Sequence, residues 1–255
     1  MLRKLVSSAI MLCIVGGIVA VSARSIPTDN PPKPSKENIL THKHTSDCDG
    51  TPAEPVQIIC ILDRSGSMAK LAEDTIGGYN AFIEKQKQTP GKAEVTTILF
   101  DNKYEVISEA VDINEAKTLT SEEYFARGTT ALLDALGMTI TNTLGKMEKE
   151  KICPAKRRVL IMIMTDGLEN ASVEYNKASV KNLIDSTTKE YNWNYIFIGA
   201  NMDSVSEAES IGISAKRAAN YSHDRDGVQR SFSMMNSAAK EMRETGSVGE
   251  DWREE

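Results

Sequence analysis

The sequence predicts an α/β fold, a doubly wound and mostly parallel central sheet with helices on both faces. Short apolar runs alternate with segments whose apolar residues recur every three or four positions. Two runs, residues 56–62 and 159–164, are apolar at nearly every position, which is typical of central strands buried on both faces. Oxygen-bearing residues follow both runs, at the sheet edge where open α/β sheets bind their ligands.

The remaining elements follow from periodicity and turn residues. Helix-breaking Thr89, Pro90 and Gly91 end the first helix. The Asp101-Asn102-Lys103 turn joins two strands into a hairpin, which gives the sheet one antiparallel edge. We expect strands at 56–62, 93–100, 104–111, 159–164 and 193–200, and an edge strand within 215–222. We expect helices at 71–88, 130–149 and 175–191, a short helix at 203–211 and an amphipathic helix at 228–242, with a short helical piece within 112–128.

The composition is that of a globular protein with enough apolar material for a core. The chain has 255 residues, of which 40% are hydrophobic and 26% charged, and its net charge is −6. This balance argues against nucleic acid as the main partner, because phosphate binding needs a basic face. It is compatible with a soluble protein or with one that binds cations.

The N-terminus has the layout of a secretory signal peptide. Arg3 and Lys4 precede an apolar stretch at 5–21, and small residues follow at a suitable cleavage position. We therefore predict a signal peptide at 1–23, with an uncleaved N-terminal membrane anchor as the alternative. Either way the rest of the chain is extracytoplasmic: secreted or periplasmic, or anchored to the membrane by the uncleaved N-terminus.

Three further regions complete the organisation. Residues 24–54 are rich in proline and polar residues and predict a disordered linker. Residues 55–246 form the one predicted domain. Residues 247–255 are polar, and we expect a frayed tail there.

Cysteine is sparse, and the cysteines near the predicted domain have two expected roles. Cys60 lies inside the first strand and is expected to be a small core residue. Cys48 and Cys153 each precede one of the two buried strands, so both are expected near the opposite edge of the sheet. An oxidising compartment would permit a disulfide between them, and two unpaired thiols are the alternative.

Three segments carry the oxygen-bearing side chains. Asp63, Ser65 and Ser67 follow the first strand, Gly128-Thr129-Thr130 opens a helix, and Thr165-Asp166-Gly167 follows the second buried strand. Taken singly, these are ordinary helix caps and turns. Together they supply two carboxylates and three hydroxyls, which suit magnesium, calcium or manganese better than zinc or copper.

In these motifs the chain resembles von Willebrand factor type A (vWA) domains that carry a metal-ion-dependent adhesion site (MIDAS). The matching segments are D-x-S-x-S at 63–67, G-T-T-A-L-L-D-A at 128–135 and T-D-G at 165–167. The resemblance covers residues 56–242 and is closest to compact bacterial single-domain members. It implies a Rossmann-like fold, as the periodicity does.

The resemblance also implies a ligand set and a mode of action. Its metal ligands would be Asp63, Ser65, Ser67, Thr130 and Asp166. Alignment on Gly128 instead of on the following A-L-L-D-A would select Thr129 in place of Thr130. The expected cofactor is Mg2+, or else Mn2+ or Ca2+, and the expected partner is a protein that offers a carboxylate.

Two side chains of the first segment carry separate expectations. Arg64 stands between the proposed ligands and is expected to be solvated, with pairing to an acidic group on the rim as the alternative. Ser67 is expected to cap the following helix as well as to bind the cation.

The functional hypotheses come from three classes. The first is a cation-dependent protein-binding module without catalytic residues, since none of the three histidines falls in a motif segment. The second is a metal-dependent phosphohydrolase. It is disfavoured because Ser65 stands where such enzymes place a second aspartate. The third is a scaffolding vWA domain with a vestigial metal site.

Overall fold

The computed structural model describes residues 53–253. Its core is one six-stranded sheet with the order β3-β2-β1-β4-β5-β6, in which only the β2–β3 pair is antiparallel. The predicted fold class and the predicted hairpin edge are therefore confirmed. The strands are β1 Ala53–Asp63, β2 Ala93–Phe100, β3 Tyr104–Asp112, β4 Arg157–Thr165, β5 Asn194–Gly199 and β6 Ala218–Asn220.

Helices cover both faces of the sheet. They are α1 Ala72–Gln88, α2 Leu132–Lys149, α3 Lys177–Tyr191, α4 Ser204–Ser210 and α5 Arg225–Thr245, with 3-10 helices at Gly66–Leu71, Ala215–Arg217 and Asp251–Arg253.

The nearly all-apolar run 56–62 in the first strand is explained by two separate cores. Ile58, Cys60 and Leu62 point into a core shared with α1 and α5. Ile59 and Ile61 point into a second core, shared with α2 and α3. Successive side chains of a strand point to opposite faces, so a strand covered on both faces needs apolar residues at every position.

Between β3 and α2 the chain differs from the expectation of a helical piece. Residues 113–131, all of them described, contain turns but no helix. Part of the reason is Asn80 on α1, whose side chain accepts from the Leu119 N–H at 2.8 Å and donates to the Leu119 carbonyl at 3.0 Å. These bonds replace the ones that a helix would make.

The end of the described chain is packed and not frayed. Val248 and Trp252 are buried, and Trp252 Nε1 donates to the Lys216 carbonyl at 2.9 Å. The expectation of fraying is wrong for this segment, because one large aromatic side chain in a polar tail supplies enough apolar area to hold it.

Several sequence predictions fall wholly or partly outside the described residues. These are the signal peptide or anchor at 1–23 and the linker at 24–54, of which only the last two residues are described, as the start of β1. Cys153 is disulfide-bonded, whereas its predicted partner, Cys48, lies outside the described range. Cys60 is a free thiol buried in the core, as expected. Within 53–253, the helices are too short or too polar to span a bilayer.

Candidate metal centre

The two predicted acidic residues meet at the carboxyl end of neighbouring strands. β1 and β4 pair in parallel, with Leu62 opposite Met164. Asp63 ends β1, and Asp166 directly follows the last residue of β4. Both carboxylates are buried. The parallel register therefore brings together the side chains that the sequence suggested.

The hydroxyl groups of the first segment connect to Asp166. Ser65 Oγ and Ser67 Oγ are 3.0 Å apart, and Ser67 Oγ donates to Asp166 Oδ1 at 2.5 Å. Adjacent ligands of an octahedral Mg2+ ion with bonds of about 2.1 Å lie about 3 Å apart. The serine pair has this spacing, which is compatible with two adjacent ligands of such an ion.

Thr130 faces the same space from the second segment. A Cβ placed on Gly167 would lie 3.2 Å from Thr130 Oγ1 and 3.8 Å from Ser67 Oγ. The absence of a side chain at Gly167 thus keeps open the space between these two hydroxyls. Thr130 is buried and Thr129 is exposed, which favours Thr130 as the candidate ligand.

Hydrogen bonds join the three segments to one another. The Gly66 N–H donates to the Gly128 carbonyl at 3.2 Å. The Thr130 N–H donates to Asn170 Oδ1 at 3.0 Å, and the Asn170 N–H returns a bond of the same length to the Thr130 carbonyl. Glu169 accepts from the Leu133 N–H at 2.9 Å. Asn170 and Glu169 therefore fix the start of α2 against the segment that carries Asp166.

The electrostatics of the site favour a cation. Burial raises the pKa of Asp63 from 3.8 to about 6, against the opposing effect of hydrogen bonds from Thr165 and Ser65, and the charge of Asp166 raises it slightly further. Thr165 Oγ1 donates to Asp63 Oδ2 at 2.6 Å, and the Ser65 N–H donates to Oδ1 at 2.6 Å. The hydrogen bonds to these two buried carboxylates come only from neutral groups and one histidine. A positive charge between the carboxylates would therefore stabilise their charged forms.

Arg64 does not supply that charge. Its side chain is buried, and Nε is 3.1 Å from Asp101 Oδ2, while Nη2 pairs with Glu105 and Nη1 donates to the Glu123 carbonyl at 2.9 Å. The expectation that Arg64 is solvated is wrong. Side chains alternate along the chain here, so Arg64 points to the β2–β3 side, away from Asp63 and Ser65. Arg127 joins the same cluster at 2.7 Å from Asp101.

Ser67 also departs from the expectation in one respect. It lies inside the 3-10 helix Gly66–Leu71, whose N-cap is Ser65, and no side-chain hydrogen bond caps that helix or α1. Its hydroxyl is engaged with Asp166 instead. The predicted capping role is wrong, and the predicted proximity to the other site residues is confirmed.

His223 is the site residue that sequence reasoning missed. It lies in the connection between β6 and α5, and its Nε2 is 2.7 Å from Asp166 Oδ2. The two residues are 57 positions apart, and no motif surrounds His223. By contrast, Glu169 and Asn170 come one residue after the T-D-G segment. Their place beside a recognised motif was a sequence signal for their contacts with the start of α2.

The candidate site depends on hydroxyl oxygens as well as on carboxylates. Among residues 53–253, no three or more His, Cys, Asp and Glu side chains form a cluster that could hold a metal. The donor set of Asp63, Asp166 and the three hydroxyls is one for hard cations.

Comparison with solved structures shows that the chain has the vWA fold, as the resemblance implied. It matches a vWA protein from Catenulispora acidiphila (TM-score 0.52, 15% identity, covering 74% of this chain and 43% of that one). It matches proximal thread matrix protein 1 from the mussel byssus (TM-score 0.53, 14% identity, 74% and 49%). It also matches the manganese-loaded TRAP protein of Plasmodium vivax (TM-score 0.50, 18% identity, 70% and 72%).

The chain spans less than half the length of the first two of these proteins. The mussel protein has also been solved with a zinc-occupied MIDAS motif. No family model and no curated protein matches the sequence. At these identities the comparisons establish the fold alone, and the bound metals belong to the TRAP and mussel proteins.

Proposed function

We propose that this protein is a divalent-cation-dependent protein-binding module. Asp63, Ser65, Ser67, Thr130 and Asp166 would hold Mg2+, or else Mn2+ or Ca2+. The observation that carries the proposal is the convergence of two buried carboxylates and the hydroxyls of Ser65 and Ser67 at octahedral spacing. A bound cation would neutralise the two charges that burial disfavours.

The chemistry of the cation suggests how a partner binds. An octahedral ion has six ligand positions, and the five side chains fill at most five of them, so one position stays open for an oxygen ligand from outside the chain. Ser67 is exposed at the sheet edge while the two carboxylates are buried. An acidic side chain of a partner protein would therefore approach the ion from the Ser67 side.

The surface around the site supports a protein as the partner. Among the described residues, the exposed large apolar side chains are Val106, Phe125, Leu168 and Val173. Of these, Leu168 directly follows the Thr165-Asp166-Gly167 segment. Phe125 lies under the guanidinium groups of Arg64 and Arg127, 5.6 and 4.9 Å from its centroid. An exposed apolar side chain beside the site, such as Leu168, is compatible with a protein surface as the partner.

The site is proposed to act outside the cytosol. The signal-like N-terminus and the disulfide bond at Cys153 support an oxidising compartment. The uncleaved form of that N-terminus would add a membrane tether. The acidic net charge of −6 supports a partner other than nucleic acid.

The phosphohydrolase alternative draws no support from the arrangement. Such an enzyme would need a second aspartate two residues after Asp63, and Ser65 stands at that position. A phosphatase panel with Mg2+ tests it directly. Turnover that disappears in Asp63→Ala would replace the binding function by an enzymatic one.

Titration calorimetry with Mg2+, Mn2+ and Ca2+, together with melting curves in EDTA, tests the metal site. Binding should raise the melting temperature, because a ligand of the native state stabilises it. Asp166→Asn should abolish the effect. Asp226→Asn, which removes an equal charge from the exposed first turn of α5, is the matched control. Equal metal response in all three proteins would contradict the assignment.

Capture experiments test the partner. A protein retained in Mg2+ and released by EDTA, and not retained by Asp166→Asn, fits carboxylate bridging. Retention that survives EDTA would show that the cation is not part of the interface.

A further inference from the structure

His223 divides the carboxylate of Asp166 into two functionally different oxygens. Oδ1 is 2.5 Å from Ser67 Oγ and faces the hydroxyl pair. Oδ2 is 2.7 Å from His223 Nε2. One oxygen is thus directed to the candidate metal centre, and the other is held by the imidazole ring.

The chain on both sides of His223 is fixed. The Tyr221 N–H donates to the Gly199 carbonyl at 2.9 Å, and the Tyr221 ring is buried with its hydroxyl 3.9 Å from Met68 Sδ. Asp224 is the N-cap of α5 and accepts from the Gly227 N–H at 2.7 Å. The ring itself is 24% exposed. The backbone that presents the ring to Asp166 is therefore held in place on both sides.

We propose that His223 is a positioning residue of the metal site, which holds Asp166 with Oδ1 directed to the cation. This inference rests on the proposed function. A carboxylate only accepts hydrogen bonds, so Nε2 carries the hydrogen and donates it to Oδ2. The terminal torsion of an aspartate is broad, so a bond to one oxygen is what fixes the direction of the other.

The expected size of the effect follows from other metal sites. Removal of an outer hydrogen bond to a metal ligand weakens metal binding by about 10- to 100-fold. His223→Ala should lose affinity in this range for Mg2+ and for Mn2+ alike, because the ring acts through Asp166 and not on the metal. His223→Gln should recover most of the affinity, because its amide nitrogen can donate to the same oxygen.

Titration calorimetry of the purified protein and its variants tests this role, with melting curves in EDTA to show that each variant is folded. Asn201→Gly is the matched control. Asn201 Nδ2 contacts the carbonyl of Asp166 at 3.5 Å and not its carboxylate, and its φ of 57° suits glycine. This control should bind Mg2+ as tightly as the wild type.

Three results would overturn the proposal. One is unchanged Mg2+ affinity in His223→Ala, and another is a glutamine variant as weak as the alanine one. The third is a loss confined to Zn2+ and Co2+, which would make the ring itself a ligand. A wild-type protein that binds no divalent ion would remove the metal site and this role together, which distinguishes failure of the proposed function from failure of the inference.

Discussion

Asp63→Asn should stabilise the metal-free protein while abolishing its response to metal. Burial raises the pKa of Asp63 from 3.8 to about 6, so the native state holds this proton more tightly than the unfolded chain does. The stabilisation from that proton is lost as the pH rises from about 4 to about 6, and the charged form then imposes a constant cost. At about 1.4 kcal/mol for each tenfold change in proton affinity, the cost is about 3 kcal/mol.

The surroundings of Asp63 can accept an amide. The asparagine side chain of the Asp63→Asn variant would keep an oxygen for the Ser65 N–H, and its NH2 group would donate to Thr165 Oγ1. The hydroxyl hydrogen of Thr165 has a second acceptor in the Gly167 carbonyl at 3.2 Å. The free energy of unfolding of the variant should therefore rise by most of this cost. For a domain of this size, that corresponds to a rise in melting temperature of about 6 to 12 °C.

Urea denaturation in EDTA measures this difference, at about pH 7.5 and again at about pH 4, where it should vanish. When Mg2+ is present at a hundred times its Kd, the free energy of unfolding of the wild type should rise by about 2.7 kcal/mol, and that of the variant should not change. Asp226→Asn is the control and should stay within about 0.5 kcal/mol of the wild type. A variant no more stable than the wild type at neutral pH, or equally favoured at both pH values, would refute the reasoning.

Three other substitutions separate the ligands from their supports. Gly167→Ala places a methyl group 3.2 Å from Thr130 Oγ1 and should weaken Mg2+ binding about tenfold by calorimetry; unchanged affinity would mean that the ion lies elsewhere. Asn170→Ala leaves the buried Thr130 N–H without its acceptor and should cost about 1 to 3 kcal/mol in urea denaturation, which an unaltered midpoint would contradict. Arg64→Met leaves Asp101 with Arg127 as its remaining cation and should cost about 3 kcal/mol with little change in Mg2+ affinity. A selective loss of metal binding there would show that Arg64 acts on the site.

The fold and the two acidic residues were predictable because local patterns determine them. A strand buried on both faces must be apolar throughout, and parallel strands bring their carboxyl ends to one edge. Asp63 is the last residue of one such strand, and Asp166 directly follows the other. Gly128, with φ of +67°, marks the turn that leads to Thr130. In each case the information lies within a few residues.

The features that escaped prediction depend on partners far along the chain. Arg64 is buried because the carboxylate of Asp101, 37 positions away, accepts its hydrogen bond and neutralises its charge. His223 contacts Asp166 because β6 ends beside β5, whose end lies next to that of β4. Trp252 packs against the domain through the carbonyl of Lys216. Periodicity and spacing carry no record of such pairings.

The central claim is that Asp63, Ser65, Ser67, Thr130 and Asp166 enclose one divalent cation. A crystal structure of the protein grown with Mn2+, with anomalous differences measured at the manganese edge, tests it most directly. We expect one strong peak between the two carboxylates, within bonding distance of the serine hydroxyls and beside Gly167. Ordered density for all five side chains with no anomalous peak among them, or with the peak at another place, would contradict it.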